Sequence, residues 1–508
     1  MNYIKEILSW ANVPVFFGLW AFYYVIVAIY NISPLHPLYR FPGPKIAAAS
    51  YAYEAYFDWW LVGRYSRKIQ QMHKKYGPII RINPDELHCD DPYFSDEIYA
   101  GGNRIRDRWQ HQLNTGASSP ASITFFSTVS HELHRLRRAP FGRSFSRQRM
   151  LKLEGEVHDY AQKTVDKILR AANKGPFDIK EAFNCFTADI ISQYAFGEPM
   201  GFVDQEGWEP NFATWNKYFL ERAYLIRYNT LIRKLAGIPW IVNFLGDRVK
   251  KSSEWMTTII PKYINTALEN PEDGRVFADV MESDILPEHE KSMYRLSGEG
   301  FMLLLAGTET TAGTLTYIVY YLLARPSIYA RLIEDLKGVD PFNLKWIDLE
   351  QRPYLWAIIH EALRLTPGGS QRMARIARTE DLIYKDKEDN VQWVIPKGTP
   401  IGMTPILNNT DEKLFPNPEE FIPERWLLDG QPNYALEKML ISFGKGSRIC
   451  LGINLAYCEL FIMTTAFAFR VLPRAQLYET TIEDVKYDHD LIVPQTVKGP
   501  IAARIKIS

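Results

Sequence analysis

The sequence predicts a mainly α-helical fold with small β-sheets at its margins and one transmembrane helix at the N-terminus. Three observations predict it. Residues 296–324 carry one long, mostly apolar pattern that Arg325-Pro326 stops. Residues 151–287 read as a series of amphipathic helices with short breaks and no internal repeat. Extended segments are short and bounded by turn residues, as at 79–82 and 87–89 around Asn83-Pro84. Length alone, 508 residues, suggests about three domains. The 59 basic and 59 acidic residues balance, so nothing argues for a nucleic-acid or acidic partner. Cys89, Cys185, Cys450 and Cys458 show neither disulfide-scaffold nor zinc spacing, which suits a reducing, cytosolic setting.

Residues 13–32 are almost continuously apolar, and no charged side chain occurs from 7 to 39. About 20 residues at ~1.5 Å each span a ~30 Å hydrocarbon core. The run is too long for a signal-peptide core, and no small-residue cleavage site follows. Lys5 and Glu6 cancel before the span while Arg40 and Lys45 follow it, which places the main body in the cytosol. The sequons at Asn31 and Asn408 are then expected to be unused. Phe41-Pro42-Gly43-Pro44 is a stiff, turn-forming stretch.

Residues 65–76 read as a helix closed by Gly77-Pro78, and 91–99 as helical. Residues 101–130 lack a clear period and read as a long loop, with Ile123, Phe125 and Phe126 as its apolar members. The basic run His131 to Arg138 puts His134 and Arg138 on one helix face, with Arg135 and Arg137 pointing elsewhere. Within the long helix, Ala306-Gly307-Thr308-Glu309-Thr310-Thr311 combines a glycine, a carboxylate and back-bonding threonines. Each is locally unfavourable in an apolar helix, so together they point to function. Residues 354–365 form a helix in which Glu361 and Arg364 share a face. Residues 391–395 and 399–403 read as a hairpin around Pro396-Lys397-Gly398, and 491–494 as a turn.

Near the C-terminus Cys450 sits in the glycine-rich loop Phe443 to Gly452, directly before an apolar helix at 453–469. A helix N-terminus lowers a thiol pKa, which poises Cys450 as a thiolate. Gly444, Gly446 and Gly452 permit sharp turns and close approach to a flat ligand. Arg448 offers a fork of donors for a carboxylate. Cys458 reads as core.

This loop resembles the haem-binding signature of the cytochrome P-450 family, Phe-x-x-Gly-x-Arg-x-Cys-x-Gly, which Phe443, Gly446, Arg448, Cys450 and Gly452 match. The resemblance spans nearly the whole chain. It implies the cytochrome P-450 fold with an N-terminal transmembrane helix: an anchor at 1–33, a proline-rich hinge at 34–50 and a haem-thiolate monooxygenase domain at 51–508. The implied cofactor is haem b (iron protoporphyrin IX), with Cys450 as iron ligand, Phe443 beside the sulfur and Arg448 on a propionate. His134 and Arg138 resemble the His-x-x-x-Arg helix that grips the propionates. Arg375 is a further candidate, with Arg372 and Arg378 close by. Arg135 and Arg137 are expected to serve an electronegative redox partner.

The 306–311 segment resembles the oxygen-activating motif of the family. In that reading the site is Ala306, Gly307, Glu309 and Thr310: Gly307 leaves room for dioxygen, Thr310 hydrogen-bonds the activated oxygen and orders a water, and Glu309 relays protons. Pro423-Glu424-Arg425-Trp426 resembles the element whose arginine completes a structural Glu361–Arg364–Arg425 cluster, and Trp426 in place of the more frequent Phe is expected to change little. The chain carries no readable flavin or nicotinamide site. Electrons are therefore expected from an NADPH-cytochrome reductase, with cytochrome b5 as an additional donor.

The implied activity is insertion of one oxygen atom into an apolar small molecule, on the endoplasmic reticulum membrane with the catalytic domain cytosolic. Phe41 to Lys45, Lys74 to Arg81 and Ser442 to Arg448 resemble fungal secondary-metabolite members such as the trichodiene oxygenases, which suggests a terpenoid or polyketide substrate. Two other readings stand beside it: a haem-thiolate isomerase, dehydratase or peroxide-driven enzyme, and a membrane-anchored binding protein for a lipophilic ligand.

Overall fold

The computed structural model describes residues 13–116, 119–236, 238, 246–269, 275–386 and 391–508. Its first helix, Val13–Ile32, carries no charge, and Phe17, Phe22 and Tyr23 are 66, 64 and 61 % exposed. Such a surface is compatible with anchoring in a bilayer. The other helix of comparable apolar length, within Ile453–Arg474, is a core element, with Cys458 and Ile462 fully buried.

Residues 34–50 fold back onto the body. Arg81 N–H donates to Pro42 O at 2.7 Å, and Phe41 stacks on Trp393 at 5.2 Å. Asn31 donates its amide to Ala49 O at 3.0 Å and accepts from Arg81 at 2.8 Å through its carbonyl. Asn31 and Asn408 are both buried, in keeping with unused sequons.

The long helix Met293–Ala324 starts three residues before the expected Leu296 and ends where expected. Arg325 is extended (φ −128°, ψ 85°), as a residue before proline prefers. From Thr311 to Leu322 every residue is buried, so this half is the axle of the core. The helix as a whole packs chiefly on Ile179–Phe196, then on the turn Pro120–Ile123 and on Ile453–Arg470. Gly298 permits a very close approach: a Cβ there would lie 2.2 Å from Pro120 O, in the segment that follows the first sheet.

That sheet has five strands in the order Ile79–Arg81, Leu87–Cys89, Pro400–Met403, Met373–Ala377, Arg106–Arg108. The first two form the expected hairpin. Two expectations fail here. Residues 101–130 are not wholly loop, because Arg106–Arg108 pairs antiparallel with Met373–Ala377. The hairpin around Pro396-Lys397-Gly398 does not form either. Gln392–Ile395 pairs with Leu382–Lys385, whereas Pro400–Met403 lies between Leu87–Cys89 and Met373–Ala377. Burial gives the reason: Gln392–Ile395 is largely solvent-facing, while Pro400–Met403 is buried on both faces and belongs inside a sheet. The last hairpin, His489–Leu491 with Val493–Thr496, turns through Ile492 (φ 72°), whose carbonyl accepts from Ser370 N–H at 3.0 Å.

Candidate active site

The Cys450 loop is built by close backbone approach. Gly446 adopts φ 68°, and a Cβ there would lie 1.8 Å from Tyr99 O, so only glycine fits. Phe443 O accepts the Cys450 N–H at 2.8 Å, which closes the loop. Gly452 has an ordinary φ of −88° with nothing near its missing side chain. The sharp-turn reading of Gly452 therefore fails; its contribution is an N–H aimed at the Cys450 sulfur.

Cys450 is surrounded by protein atoms while its side chain stays accessible. Burial raises its thiol pKa, and the Gly452 N–H and the Arg138 charge only oppose this. The expected lowering by the helix terminus is thus outweighed by desolvation. The sulfur ionises when a cation binds to it, since a metal ligand must lose its proton.

At this loop lie five basic side chains: Arg108, His134, Arg138, Arg375 and Arg448. Arg108 and Arg375 are directly opposed across the sheet, a placement that is destabilising for like charges. Both are buried. Burial, then Arg375 and Arg448, drive Arg108 well below the usual guanidinium range. Burial, then Arg375, lower Arg448 to about 9. Burial and the four arginines push His134 to about 2. Arg448 donates to Thr128 O at 2.8 Å and Val129 O at 2.7 Å, but its buried Nε–H has no partner among the described residues. Arg138 donates to Ile449 O. Such a cluster asks for a bound dianion, and the two propionates of a haem fit it.

On the distal helix, Thr310 Oγ1 donates to Ala306 O at 2.7 Å. Gly368 comes so close that a Cβ there would lie 2.9 Å from Thr310 Cβ. Glu309 and Thr310 line one pocket with Lys180, Gly368, Val493 and Pro494, the last two from the turn after Leu491. Lys180 Nζ forms an ion pair with Glu309 Oε1. Around Gly307 the nearest atoms to a built Cβ all belong to Ile191, at 3.2 Å and beyond. Glycine there admits the neighbouring helix.

Behind the loop, buried Glu361 accepts from Arg364 twice at 2.8 Å, from Arg425 Nε at 3.1 Å and from Ile422 N–H at 2.8 Å. Trp426 Nε1–H also donates to it at 2.8 Å, which corrects the view that tryptophan there changes little. The cluster reaches the Cys450 loop through Ser442. That hydroxyl donates to Leu363 O at 2.6 Å and accepts from Asn409 Nδ2 at 2.9 Å.

A family model for cytochrome P450 matches residues 59–479. The cytochrome P-450 monooxygenase ppzE of Metarhizium majus is 40% identical over 446 residues, covering 83% of this chain and 92% of that protein. The monooxygenase ucsK of an Acremonium species is 35% identical over 507 residues, covering 94% and 95%. The monooxygenase oblB of Cochliobolus heterostrophus is 37% identical over 510 residues, covering 94% and 92%. This chain belongs to the cytochrome P-450 family. It is therefore a haem-thiolate oxidoreductase with haem b as its cofactor.

Within this P-450, several sequence readings change. Arg137 is not free for a redox partner, because it grips Glu290 at 2.8 and 2.9 Å; Arg135 is exposed. Arg378 is drawn off to Glu132 and Asp107. Arg372 lies in a separate buried hub, donating to Glu54 and, at 2.9 Å, to Asp58. Tyr228 donates to both carboxylates, and Arg227 stands 3.6 Å from Asp58. The hub thus ties the helix Phe212–Tyr228 to the segment before the first sheet and to the strand carrying Arg375.

Sequence reasoning missed Arg108 and Lys180. Arg108 was hidden by the loop reading of 101–130, and only its sheet pairing with Arg375 reveals it. Lys180 carried no motif, and only the fold brings it to Glu309.

Proposed function

We propose that this P-450 is a membrane-anchored monooxygenase that inserts one oxygen atom from dioxygen into an apolar terpenoid or polyketide skeleton. Electrons would come from a separate NADPH-cytochrome reductase, with cytochrome b5 as an additional donor. Residues 1–33 would anchor it in the endoplasmic reticulum membrane, with 34–50 as the connector and 51–508 as the cytosolic catalytic domain.

The observation that carries this reading is the adjacent acid and alcohol, Glu309 and Thr310, on one pocket wall facing Val493 and Pro494. The haem, when bound, supplies the oxygen activation. Cys450 would hold it through the sulfur, within the loop shaped by Phe443, Gly446 and Gly452. Arg448, Arg375, Arg108, His134 and Arg138 would hold its propionates. Thr310 spends its own proton on Ala306 O, which leaves its oxygen lone pairs to accept from a water. That water is thereby aimed into the pocket. Glu309 would take protons from the solvent side, next to Lys180, and hand them to this water. Gly368, Val493 and Pro494 limit the space in which water competes. Glu361, Arg364 and Arg425 keep the loop in place.

Reconstitution with reductase and NADPH under ¹⁸O₂, against a panel of terpenes and polyketide intermediates, tests the proposal. One labelled oxygen per product is expected. Product formed without dioxygen or NADPH would move the chain to the isomerase, dehydratase or peroxide-driven class. Tight ligand retention with no product would make it a binding protein.

A further inference from the structure

Behind the Cys450 loop runs a series of rings that makes no hydrogen bond to Glu361, although His360 and Trp356 pack 5.5 and 6.2 Å from Trp426. Tyr457 packs 5.2 Å from Phe443, whose carbonyl holds the Cys450 N–H. On its other side Tyr457 lies 5.6 Å from His360, nearly parallel at 27°. His360 stacks on Trp356 at 3.7 Å and 26°. Trp356 lies 5.7 Å from Tyr434, which is 60 % exposed. The series therefore leads from the cysteine loop to the surface in short steps.

The hydrogen bonds give it a direction for protons. His360 Nδ1 is 2.8 Å from Trp356 O, a group that only accepts, so Nδ1 carries the hydrogen. In the neutral ring Nε2 is then an acceptor, and Tyr457 Oη sits 3.2 Å from it. Glu437 Oε1 lies 3.3 Å from the same nitrogen, ready to accept once that nitrogen is protonated. Burial, then the Glu437 charge, raise the Tyr457 phenol pKa, so the group is neutral. An electron leaving Tyr457 must be accompanied by its proton, and His360 is placed to take it.

We propose that Tyr457 and His360 form a proton-coupled redox relay that drains unspent oxidising equivalents from the haem to the protein surface through Trp356 and Tyr434. Tyr457 gives one electron to the oxidised haem centre and its phenol proton to His360 Nε2, leaving a neutral tyrosyl radical beside an imidazolium that Glu437 stabilises. Tyr434 then supplies an electron through Trp356 and loses its own phenol proton to water. His360 returns the first proton to Tyr457. A soluble thiol restores Tyr434 with one electron and one proton. The relay rests on haem bound at Cys450 and not on the substrate or reductase proposed above.

The test uses the ferric holoenzyme and a peracid, without substrate or reductase, with freeze-quench electron paramagnetic resonance as the readout. The wild type is expected to give a tyrosyl radical that an added thiol quenches. Tyr457→Phe, which keeps the ring, is expected to lose most of that signal while its reduced, CO-treated spectrum stays that of the wild type. Tyr434→Phe, a surface change without folding risk, is expected to slow the thiol-driven decay. Absence of a tyrosyl radical in the wild type, undiminished yield in Tyr457→Phe, or unchanged decay in Tyr434→Phe would each overturn the relay.

Discussion

Lys180 and Glu309 form an ion pair at the wall of the pocket that Thr310, Gly368, Val493 and Pro494 also line, with the two side chains 6 % and 15 % exposed. The acid proposed to relay protons is therefore not a lone carboxylate in an apolar helix, and its cost there is offset by a cation from a neighbouring helix. Lys180→Met and Glu309→Gln should each destabilise the fold, and the double variant should lose less than the sum. The expected coupling is on the order of 0.5–3 kcal/mol, read from urea unfolding of all four proteins. Additive losses would mean that the pair contributes no mutual stabilisation.

Thr310→Ala removes the hydroxyl that donates to Ala306 O and that is proposed to accept from a water on the pocket side. Electron uptake should continue, while product per NADPH falls by roughly tenfold or more and hydrogen peroxide rises in compensation. Thr310→Ser keeps the hydroxyl and should retain most of the coupling. The measurement is the ratio of product and peroxide to NADPH consumed, at one substrate concentration.

The parts of this site that were legible in the sequence are those whose chemistry is contiguous. The Cys450 loop, the 306–311 turn and the Glu361–Arg364 pair each compress their partners into one or two helical turns or one loop. Arg108, Lys180 and the Arg372 hub were not legible, because their partners lie across a sheet or on distant helices. The hairpin mispairing at 391–403 has the same origin. Local turn signals proposed the nearest partner, while burial of Pro400–Met403 on both faces selected a distant one. A helix terminus beside Cys450 is visible in the sequence, whereas the burial that opposes its effect on the free thiol is not.

Trp426→Phe removes one donor of the Glu361 cluster. It keeps an aromatic side chain, shortens a fully buried one and takes away the N–H that reaches Glu361 Oε2 at 2.8 Å, so a cavity cost adds to the lost hydrogen bond. Hydrogen bonds to buried charges are worth about 1.5–3 kcal/mol, so a loss of at least that size is expected in chemical unfolding. Because the cluster holds the Cys450 loop through Asn409 and Ser442, the fraction of thiolate-ligated haem should fall with it. A variant as stable and as fully loaded as the wild type would show that the indole nitrogen is idle.

Glu86 sets a pH slope in the folding stability. Asn83 Nδ2 bridges two buried carboxylates, Glu54 Oε2 at 2.8 Å and Glu86 Oε2 at 2.9 Å. Despite burial, Arg372 and His111 hold Glu54 below the usual carboxylate range, so it keeps the charge. Burial, reinforced by charged Glu54 against the pull of Arg372, raises Glu86 from 4.5 to about 8. Below the unfolded value both states hold the proton and Glu86 costs nothing. Above it the unfolded chain ionises first, so the folded state loses stability as pH rises, until the folded group itself ionises near 8. The slope from this one group is at most about 1.4 kcal/mol per pH unit. Glu86→Gln mimics the neutral acid, retains an oxygen to accept from Gln112 or Asn83, and has no proton to lose. Its stability relative to the wild type should therefore climb steadily between about pH 5 and 8. A difference that stays flat across that window would mean that Glu86 is ionised in the fold, and that Arg372 compensates both carboxylates at once.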